Sequence, residues 1–273
     1  MTDTSSDVPG AADGPADVAD QLALKPAGPD SFRFPGLPRV ESPDGLFGGQ
    51  VLALALRAAG MTVADGRLPH SLHAYFLRRG SRFKDMVLNV QRDTDGRSFS
   101  ARRVAVLQDS LPIFTMSASF HAPEEGPDVQ SAVPMPAVPG PEGLPVRTGP
   151  FGPDHGLIEV RNVQNDEAGV CMAWARASGR VGDDQILHTC VLAHFSDLYS
   201  GLPPLATGHT GGPSLDHALW MHRPIRTDDW FLMRLEPVSA AYGRGVYRGA
   251  IWDRAGRLAA TLGQEVLYST SRN

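Results

Sequence analysis

Asp197 is the residue whose type and position best fit acid–base chemistry. It lies near the end of a helix predicted over residues 184–199, DQILHTCVLAHFSDLY, which is apolar on nearly every side and should therefore be buried. A negative charge at a helix C-terminus opposes the helix dipole, and burial raises the pKa of a carboxyl group. A carboxylate disfavoured on both counts indicates a functional base. The alternative is that Asp197 faces solvent or pairs with His194.

Gln264 is the second polar group at a position where an apolar residue is expected. Along the strand predicted over residues 257–268 it shares a face with Leu258, Ala260, Leu262, Val266 and Tyr268. An amide on an apolar face needs hydrogen-bond partners, and Asp197 could supply one if both groups face the same helix. From the residues alone, a core glutamine satisfied by the backbone is the favoured interpretation.

Ser214 follows Gly211-Gly212-Pro213 in a predicted loop that enters a strand. Serines in such places usually make turns. No GxSxG motif surrounds Ser214, so the sequence does not predict the nucleophile of an α/β-hydrolase.

Gly48, Gly49 and Gln50 open a first helix, predicted over residues 46–59. Unbonded amides at a helix N-terminus can donate to a developing oxyanion, which makes these residues candidate substrate contacts. The glycines could equally serve only to let the helix pack closely on the sheet. This helix contains no Asp or Glu, so a carboxylate base must come from the second half of the chain. One kind of site at the junction of the halves is expected.

The sequence predicts no metal site. Two cysteines, Cys171 and Cys190, are too few for a disulfide scaffold or a cysteine metal site, and the nine histidines form no HExxH motif. Core or surface roles are favoured for His73, which is kept as a candidate substrate contact. The paired arginines could meet phosphate groups, although solvated surface positions are more typical of them.

Composition excludes several classes of protein. The chain has 273 residues, 42% of them hydrophobic, with 25 basic and 30 acidic residues and a net charge of -5. This acidic balance argues against nucleic acid as the main partner. No run of about 18 apolar residues occurs, which argues against a membrane span. The N-terminus lacks a signal-peptide pattern, so a cytoplasmic setting is expected.

Two breaks divide the chain. Residues 1–20 contain five Asp and no Lys or Arg, which predicts a disordered tail. Residues 122–155 hold 9 of the 23 prolines and predict a semi-rigid linker. The expected units are therefore residues 21–121 and 156–273, the second carrying the catalytic residues.

The two units show the same pattern, a buried helix followed by a meander of strands. Strands are predicted at residues 70–77, 86–92, 98–108 and 112–121, and again at 218–223, 230–239, 245–253 and 257–268. Such an internal repeat suggests a duplicated domain. The simplest architecture is an α+β fold of two antiparallel sheets, each wrapped around one buried helix.

Long segments of both halves resemble the acyl-CoA thioesterase II family. They are LFGGQVLALALRAAG, HSLHAYFLRRG and RSFSARRVAVLQDSLPIFTMSASFHAPEEG in the first half, and HFSDLYSGLPPL, SLDHALWMHRPIRTDDWFLMRLEPVSA and GRGVYRGAIWDRAGRLAATLGQEVLYS in the second. The resemblance covers roughly residues 22–125 and 155–270. It implies a double hotdog fold, a sheet curled around a long helix in each half. It also implies hydrolysis of acyl-CoA to free fatty acid and CoA without cofactor, and a homo-oligomer, either dimer or tetramer.

The resemblance also implies catalytic roles for three residues. The Asp of HFSDL is Asp197, the hydroxyl before DHALW is Ser214, where some relatives have Thr, and the Gln of TLGQE is Gln264. Together these groups would orient a water for attack on the thioester. Direct attack by Asp197 to give an anhydride is the competing mechanism.

Two other functions stay open at this point. An enoyl-CoA hydratase of the same fold would need an Asp-x-Asn-x-x-His arrangement, which the sequence lacks. A non-catalytic module that only binds acyl-CoA would need no more than the fold.

Overall fold

The computed structural model describes residues 17–36, 45–131, 134–147, 157–198 and 209–270. The α-helices within these residues are α1 (Val18–Gln21), α2 (Gly48–Gly60) and α3 (Gln185–Ser196). The strands of the first half are β1 (Lys25–Gly28), β2 (Ser31–Phe34), β3 (Leu68–Phe76), β4 (Met86–Asp95), β5 (Phe99–Gln108) and β6 (Leu111–His121). Those of the second half are β7 (Ile158–Val163), β8 (Cys171–Ala177), β9 (His209–Ser214), β10 (Asp216–Met221), β11 (Phe231–Ala241), β12 (Arg244–Asp253) and β13 (Leu258–Thr270).

All of these strands belong to one antiparallel sheet. Its order is β1-β2-β4-β5-β6-β3-β10-β13-β12-β11-β8-β7, and β9 pairs with β13 beside this path. The expectation of two separate sheets is therefore wrong for the described residues. The halves merge because β3 and β10, which would each be an edge strand, pair along Ser71–Tyr75 and Asp216–Trp220 and so satisfy each other's backbone groups.

The sheet order repeats between the halves, in agreement with the predicted internal repeat, but neither half is a simple meander, because β3 pairs with β6 and β10 pairs with β13. Read from its outer edge to the centre, the first half runs β1, β2, β4, β5, β6, β3 and the second runs β7, β8, β11, β12, β13, β10. Each strand thus has a counterpart, with β9 as an addition to the second half. The eight predicted strands are all present, with ends shifted by a few residues.

The two long helices lie antiparallel against each other. At one end Arg57 Nη1 of α2 is 2.8 Å from Asp184 Oδ2, and Asp184 also caps the N-terminus of α3. At the other end Gly49 lies against the carbonyl of His194. Helix α2 also packs on β3 to β6, which explains why its apolar residues extend around the whole helix. Both helices were predicted to be buried, and both are; Tyr199, the predicted end of the second, lies outside the described residues.

The predicted tail needs a correction where the structure describes it. Residues 1–16 lie outside the described residues, but α1 falls partly within the expected tail. Asp17 caps α1 and Val18 is fully buried, so order begins before residue 21. In the described part of 122–155, the only helix is a 3-10 turn at Pro141–Gly143, and no strand occurs.

This part of the linker covers the outer side of the second half-sheet. Met135, Val138 and Leu144 pack on a cluster that contains Trp174 and Trp230. The Trp174 indole donates a hydrogen bond to the carbonyl of Pro139 at 2.9 Å. Within the described residues, no helix has the length and apolar character needed to cross a membrane.

Candidate active site

Asp197 lies where the C-terminus of α3 meets the N-terminus of α2. It is the C-cap residue of α3, and only 2% of its surface is exposed. The backbone of Gly49, in the first turn of α2, donates a hydrogen bond to its carboxyl group. Helix α2 has no side-chain cap of its own, so Asp197 serves as its N-terminal acceptor from another helix. The unfavourable dipole of α3 is thereby opposed by the favourable dipole of α2.

Gln264 and Ser214 complete the surroundings of this carboxyl group. Gln264 Nε2 donates to Asp197 Oδ1 at 2.7 Å and also to Ser214 Oγ. Ser214 Oγ lies 3.4 Å from Asp197 Oδ1, at the long end of hydrogen-bonding distance. The alternatives of a solvent-facing Asp197 and of a backbone-satisfied Gln264 are therefore wrong.

The sheet holds Ser214 beside Gln264. Ser214 ends β9, which pairs with β13. The chain then bends and continues into β10, which also pairs with β13. At the bend, the Leu215 amide donates to the Glu265 carbonyl at 2.8 Å, and the Glu265 amide donates to Asp216 Oδ1 at 2.7 Å. Gln264 directly precedes Glu265, so these two bonds hold Ser214 next to Gln264. The glycines before Ser214 indicate a turn in sequence but form part of a strand, because Gly212 lets β9 approach the backbone of β13.

Burial raises the pKa of Asp197 to about 7, although bonds from Gln264, Ser214 and Gly49 each lower it. Between the ordinary value of 3.8 and about 7, the folded state binds a proton that the unfolded state releases. The free energy of unfolding therefore falls as pH rises through this window. Above it, keeping Asp197 ionised costs up to about 4 kcal/mol. A buried carboxyl group that destabilises the fold when ionised, and whose pKa lies near neutrality, is typical of a functional base.

Gly48 and Gly49 make room for Asp197, and this corrects part of the prediction for them. A Cβ atom on Gly48 would lie 2.5 Å from Asp197 Oδ2, and one on Gly49 would lie 2.3 Å from the carbonyl oxygen of His194. The Gly49 amide donates to the carboxyl group, so it is engaged and does not act as a free oxyanion donor. The close approach at Gly49 is between two helices, and Gly48 also lies against Phe76 of β3, in agreement with the alternative of close helix-on-sheet packing.

Replacing Gly49 by alanine should destabilise the protein by about 1–3 kcal/mol, because its Cβ would overlap backbone that cannot move. The same change in an exposed helix stabilises by about 1 kcal/mol. Urea unfolding measures the difference. Gly143→Ala is the matched control, since nothing lies within 4 Å of a Cβ there, and it should leave stability nearly unchanged. A Gly49→Ala protein that is more stable than the wild type would contradict this packing.

The structure does not bring His73 to the carboxyl group. In β3, Leu72 and Ala74 point into the core while His73 is exposed on the opposite face, with its ring centroid 5.3 Å from that of Trp220. The strand alternation places it there, on the face opposite the core, and a substrate contact at His73 stays a prediction. Gln50 is half-buried in the first turn of α2. Among the described residues, no group of three or more His, Cys, Asp or Glu could hold a metal ion.

Three residues near the site were not predicted to belong to it. His217 Nδ1 contacts Gln264 Oε1, and His217 Nε2 lies 2.9 Å from the Ser196 hydroxyl oxygen. The Phe76 ring lies against Gly48 at the same end of α2. A sequence signal existed for His217, since it shares the buried face of β10 with Leu219. The segment HALW, which begins at His217, is typical of an ordinary strand. Nothing in its sequence predicts that β10 pairs with β13, the strand that carries Gln264.

Family models match both halves of the chain. A model of the acyl-CoA thioesterase N-terminal domain matches residues 38–121, and a model of the acyl-CoA thioesterase C-terminal domain matches residues 123–268. The human protein acyl-coenzyme A thioesterase 8 is 33% identical over an aligned region that covers 91% of this chain and 87% of the human protein.

Solved structures agree with this relationship. The acyl-CoA thioesterase II TesB2 of Mycobacterium marinum is 34% identical with a TM-score of 0.79, over 93% of this chain and 99% of that one. A hot dog fold protein from Alicyclobacillus acidocaldarius is 21% identical with a TM-score of 0.74, over 92% and 97% of the two chains, and supports the fold alone. With both domain models matched in order and relatives alike over nearly their whole length, this hot dog fold chain belongs to the acyl-CoA thioesterase II family of thioester hydrolases.

Proposed function

We propose that this protein hydrolyses acyl-CoA to a free fatty acid and CoA, with Asp197 as the general base for an attacking water. The observation that carries the proposal is the buried Asp197 carboxyl group, whose Oδ1 accepts hydrogen bonds from both the Gln264 amide and the Ser214 hydroxyl. A pKa near neutrality suits a base that must be ionised to accept a proton and must later return it.

The proposed reaction moves one proton through Asp197. The carboxylate takes a proton from water as the water oxygen bonds to the thioester carbon. The resulting tetrahedral intermediate collapses, the C–S bond breaks, and the CoA sulfur receives the proton from Asp197. Acid and CoA thiol are the only products, and Asp197 is regenerated as the carboxylate.

Ser214 and Gln264 have separate parts in this proposal. The Ser214 hydroxyl donates to Asp197 and accepts from Gln264, which leaves its oxygen one lone pair to accept a hydrogen bond from the water. Gln264 holds both groups in place through the two hydrogens of its amide. The amide of Gly48, the first residue of α2, has no acceptor within its helix and can donate to the thioester carbonyl.

We also propose two hotdog units at residues 21–121 and 156–273, each half of the sheet curled around its own helix. The N-terminal domain model ends at residue 121, which supports the first boundary, whereas the C-terminal model begins at residue 123 and includes the linker, so the start of the second unit at residue 156 stays a prediction. The cytoplasmic setting and the assembly into a dimer or tetramer stay predictions.

Release of CoA thiol from acyl-CoA tests the function directly. Medium- and long-chain saturated acyl-CoA esters should release thiol and free acid in equal amounts. A chain that binds these esters without releasing thiol would be a binding module, and a product hydrated across a carbon–carbon double bond of an enoyl ester would indicate a hydratase.

A single turnover in ¹⁸O-labelled water separates water attack from direct attack by Asp197. Water attack places the label in the released acid only. An anhydride hydrolysed at the Asp197 carbonyl places it in the enzyme, where mass spectrometry of the peptide detects it. Label in Asp197 would therefore contradict a general-base role.

We expect kcat/KM to rise with pH and to level off above a midpoint near 7, because Asp197 must be ionised to act. Burial lowers the pKa of His194 to about 3 and of His217 to about 4, so neither ring accounts for a rise of kcat/KM with a midpoint near pH 7. The measurement needs a thiol reagent that reacts below pH 7. A flat profile between pH 5 and pH 8, about the range in which a carboxyl group raised by burial titrates, would rule out Asp197 as the base.

A further inference from the structure

His217 connects the strand that carries Gln264 with the helix turn that carries Asp197. Its ring lies in β10 next to β13, and only 1% of the residue is exposed. Nδ1 contacts Gln264 Oε1, and Nε2 lies 2.9 Å from Oγ of Ser196, the residue before Asp197. Ser196 is itself fully buried. The imidazole therefore fills both of its hydrogen-bonding positions inside the core.

The direction of each hydrogen bond follows from the chemistry of the groups. An ionised Asp197 can only accept, so Gln264 must turn its NH₂ group towards it and its oxygen towards His217. Gln264 Oε1 also only accepts, which requires a hydrogen on His217 Nδ1. Burial disfavours a second proton on the ring and lowers its pKa to about 4. Nε2 is then unprotonated and accepts from the Ser196 hydroxyl, whose single hydrogen turns towards the ring and away from the Ala193 carbonyl, which lies 2.7 Å from the same hydroxyl oxygen.

We propose that His217 is a positioning residue, whose Nδ1–H fixes the side-chain amide of Gln264 with its NH₂ group towards Asp197 and Ser214; this inference rests on the proposed function. A terminal amide rotates easily between its two orientations. Without a donor at His217, the amide can present its oxygen to the carboxylate, and it then no longer holds the serine. His217 acts on the reaction through Gln264 and needs no contact with the substrate.

Three substitutions separate this role from simple packing. His217→Leu removes both hydrogen bonds and should lower kcat by about 10- to 100-fold with KM changed by less than about 3-fold. His217→Asn keeps an amide N–H near the position of Nδ1 and should restore most of the activity. His217→Gln places its amide nearer the position of Nε2 and should not. His222→Leu is the matched control, since that ring bonds Thr261 at 2.9 Å on the exposed side of the same strand pair.

A double-mutant comparison tests whether the effect passes through Gln264. In a Gln264→Ala background, His217→Leu should change kcat by less than about 2-fold, since residues that act as one unit are not additive. An equal loss in both backgrounds would overturn the proposal, as would full activity of His217→Leu or equal loss in the asparagine variant.

The ring itself can be observed without substrate and without a variant that must fold well. Nitrogen-15 NMR of histidine-labelled protein at pH 8 should show His217 as a neutral ring with hydrogen on Nδ1. A hydrogen on Nε2 instead would overturn the proposal. This result does not depend on activity, so it is separable from a failure of the proposed function, in which Asp197→Asn would keep the wild-type rate.

Discussion

Replacing Asp197 by asparagine should lower kcat for acyl-CoA hydrolysis by at least about 100-fold, since general-base catalysis commonly contributes that much. Asparagine keeps the volume of the side chain, so the 2% exposed position stays filled. It cannot take the proton from water. The rising limb of the pH profile should disappear with the carboxyl group. Thiol release at saturating substrate measures the first effect, and kcat/KM across pH measures the second.

The best control carries the same substitution at the other end of the same helix. Asp184 caps the N-terminus of α3 through Ile186 and Leu187 and pairs with Arg57. Asparagine is an equally good N-cap, so Asp184→Asn should leave kcat near the wild-type value and lose only the exposed ion pair. Asp197→Ala guards against deamidation of the new asparagine back to aspartate. Wild-type kcat in both Asp197 variants would remove this residue from the mechanism.

The position of Asp197 explains how the fold tolerates a buried carboxylate. Two helix ends meet there, and only one of them, the N-terminus of α2, favours negative charge. Glycines at the start of α2 allow the carboxyl group to come that close, because any side chain at Gly48 would occupy its place. The base in the second half therefore depends on a helix from the first half, which gives a physical reason for the two halves to stay in one chain.

Local patterns predicted the elements that are long or strongly periodic. The continuous apolar run of α2 predicts a buried helix, and the alternating patterns of β5 and β6 predict strands. The turn between these strands has Asp109 and Ser110 at positive φ, as a tight hairpin requires. Strand β8, CMAWARA, was missed because its composition also suits a helix. Strand β9 was missed because it contains Gly-Gly-Pro, which an edge strand tolerates.

The joining of the sheets could not be predicted from such patterns. The pairing of β3 with β10 involves residues more than one hundred positions apart, and an unpaired edge would show the same alternation. For the same reason the sequence alone could place Asp197 at a helix end and Gln264 on an inner face, but could not bring them together. Ser214 carried no signal of its own, and the family resemblance was needed to select it. His217 was missed because its partner Gln264 lies on β13, and the sequence does not predict that β13 pairs with β10.

Replacing Gln264 by alanine should lower kcat by about 100-fold, because a hydrogen-bond donor to a reacting group commonly contributes that much. The change removes the bonds to Asp197 and Ser214 and also leaves the His217 Nδ1–H without its acceptor. One bond that lowers the pKa of Asp197 is lost, so the midpoint of kcat/KM should move to higher pH.

Gln264→Met separates the hydrogen bonds from the volume of the side chain. Methionine fills the 1% exposed position without an amide, so its core should be better packed than that of the alanine variant. If the amide matters through its hydrogen bonds, both variants lose the same activity and both midpoints move upward, while unfolding in urea shows that alanine alone leaves a cavity. If the methionine variant keeps the wild-type rate, Gln264 only fills space, and the water must be held by Asp197 and Ser214 without it.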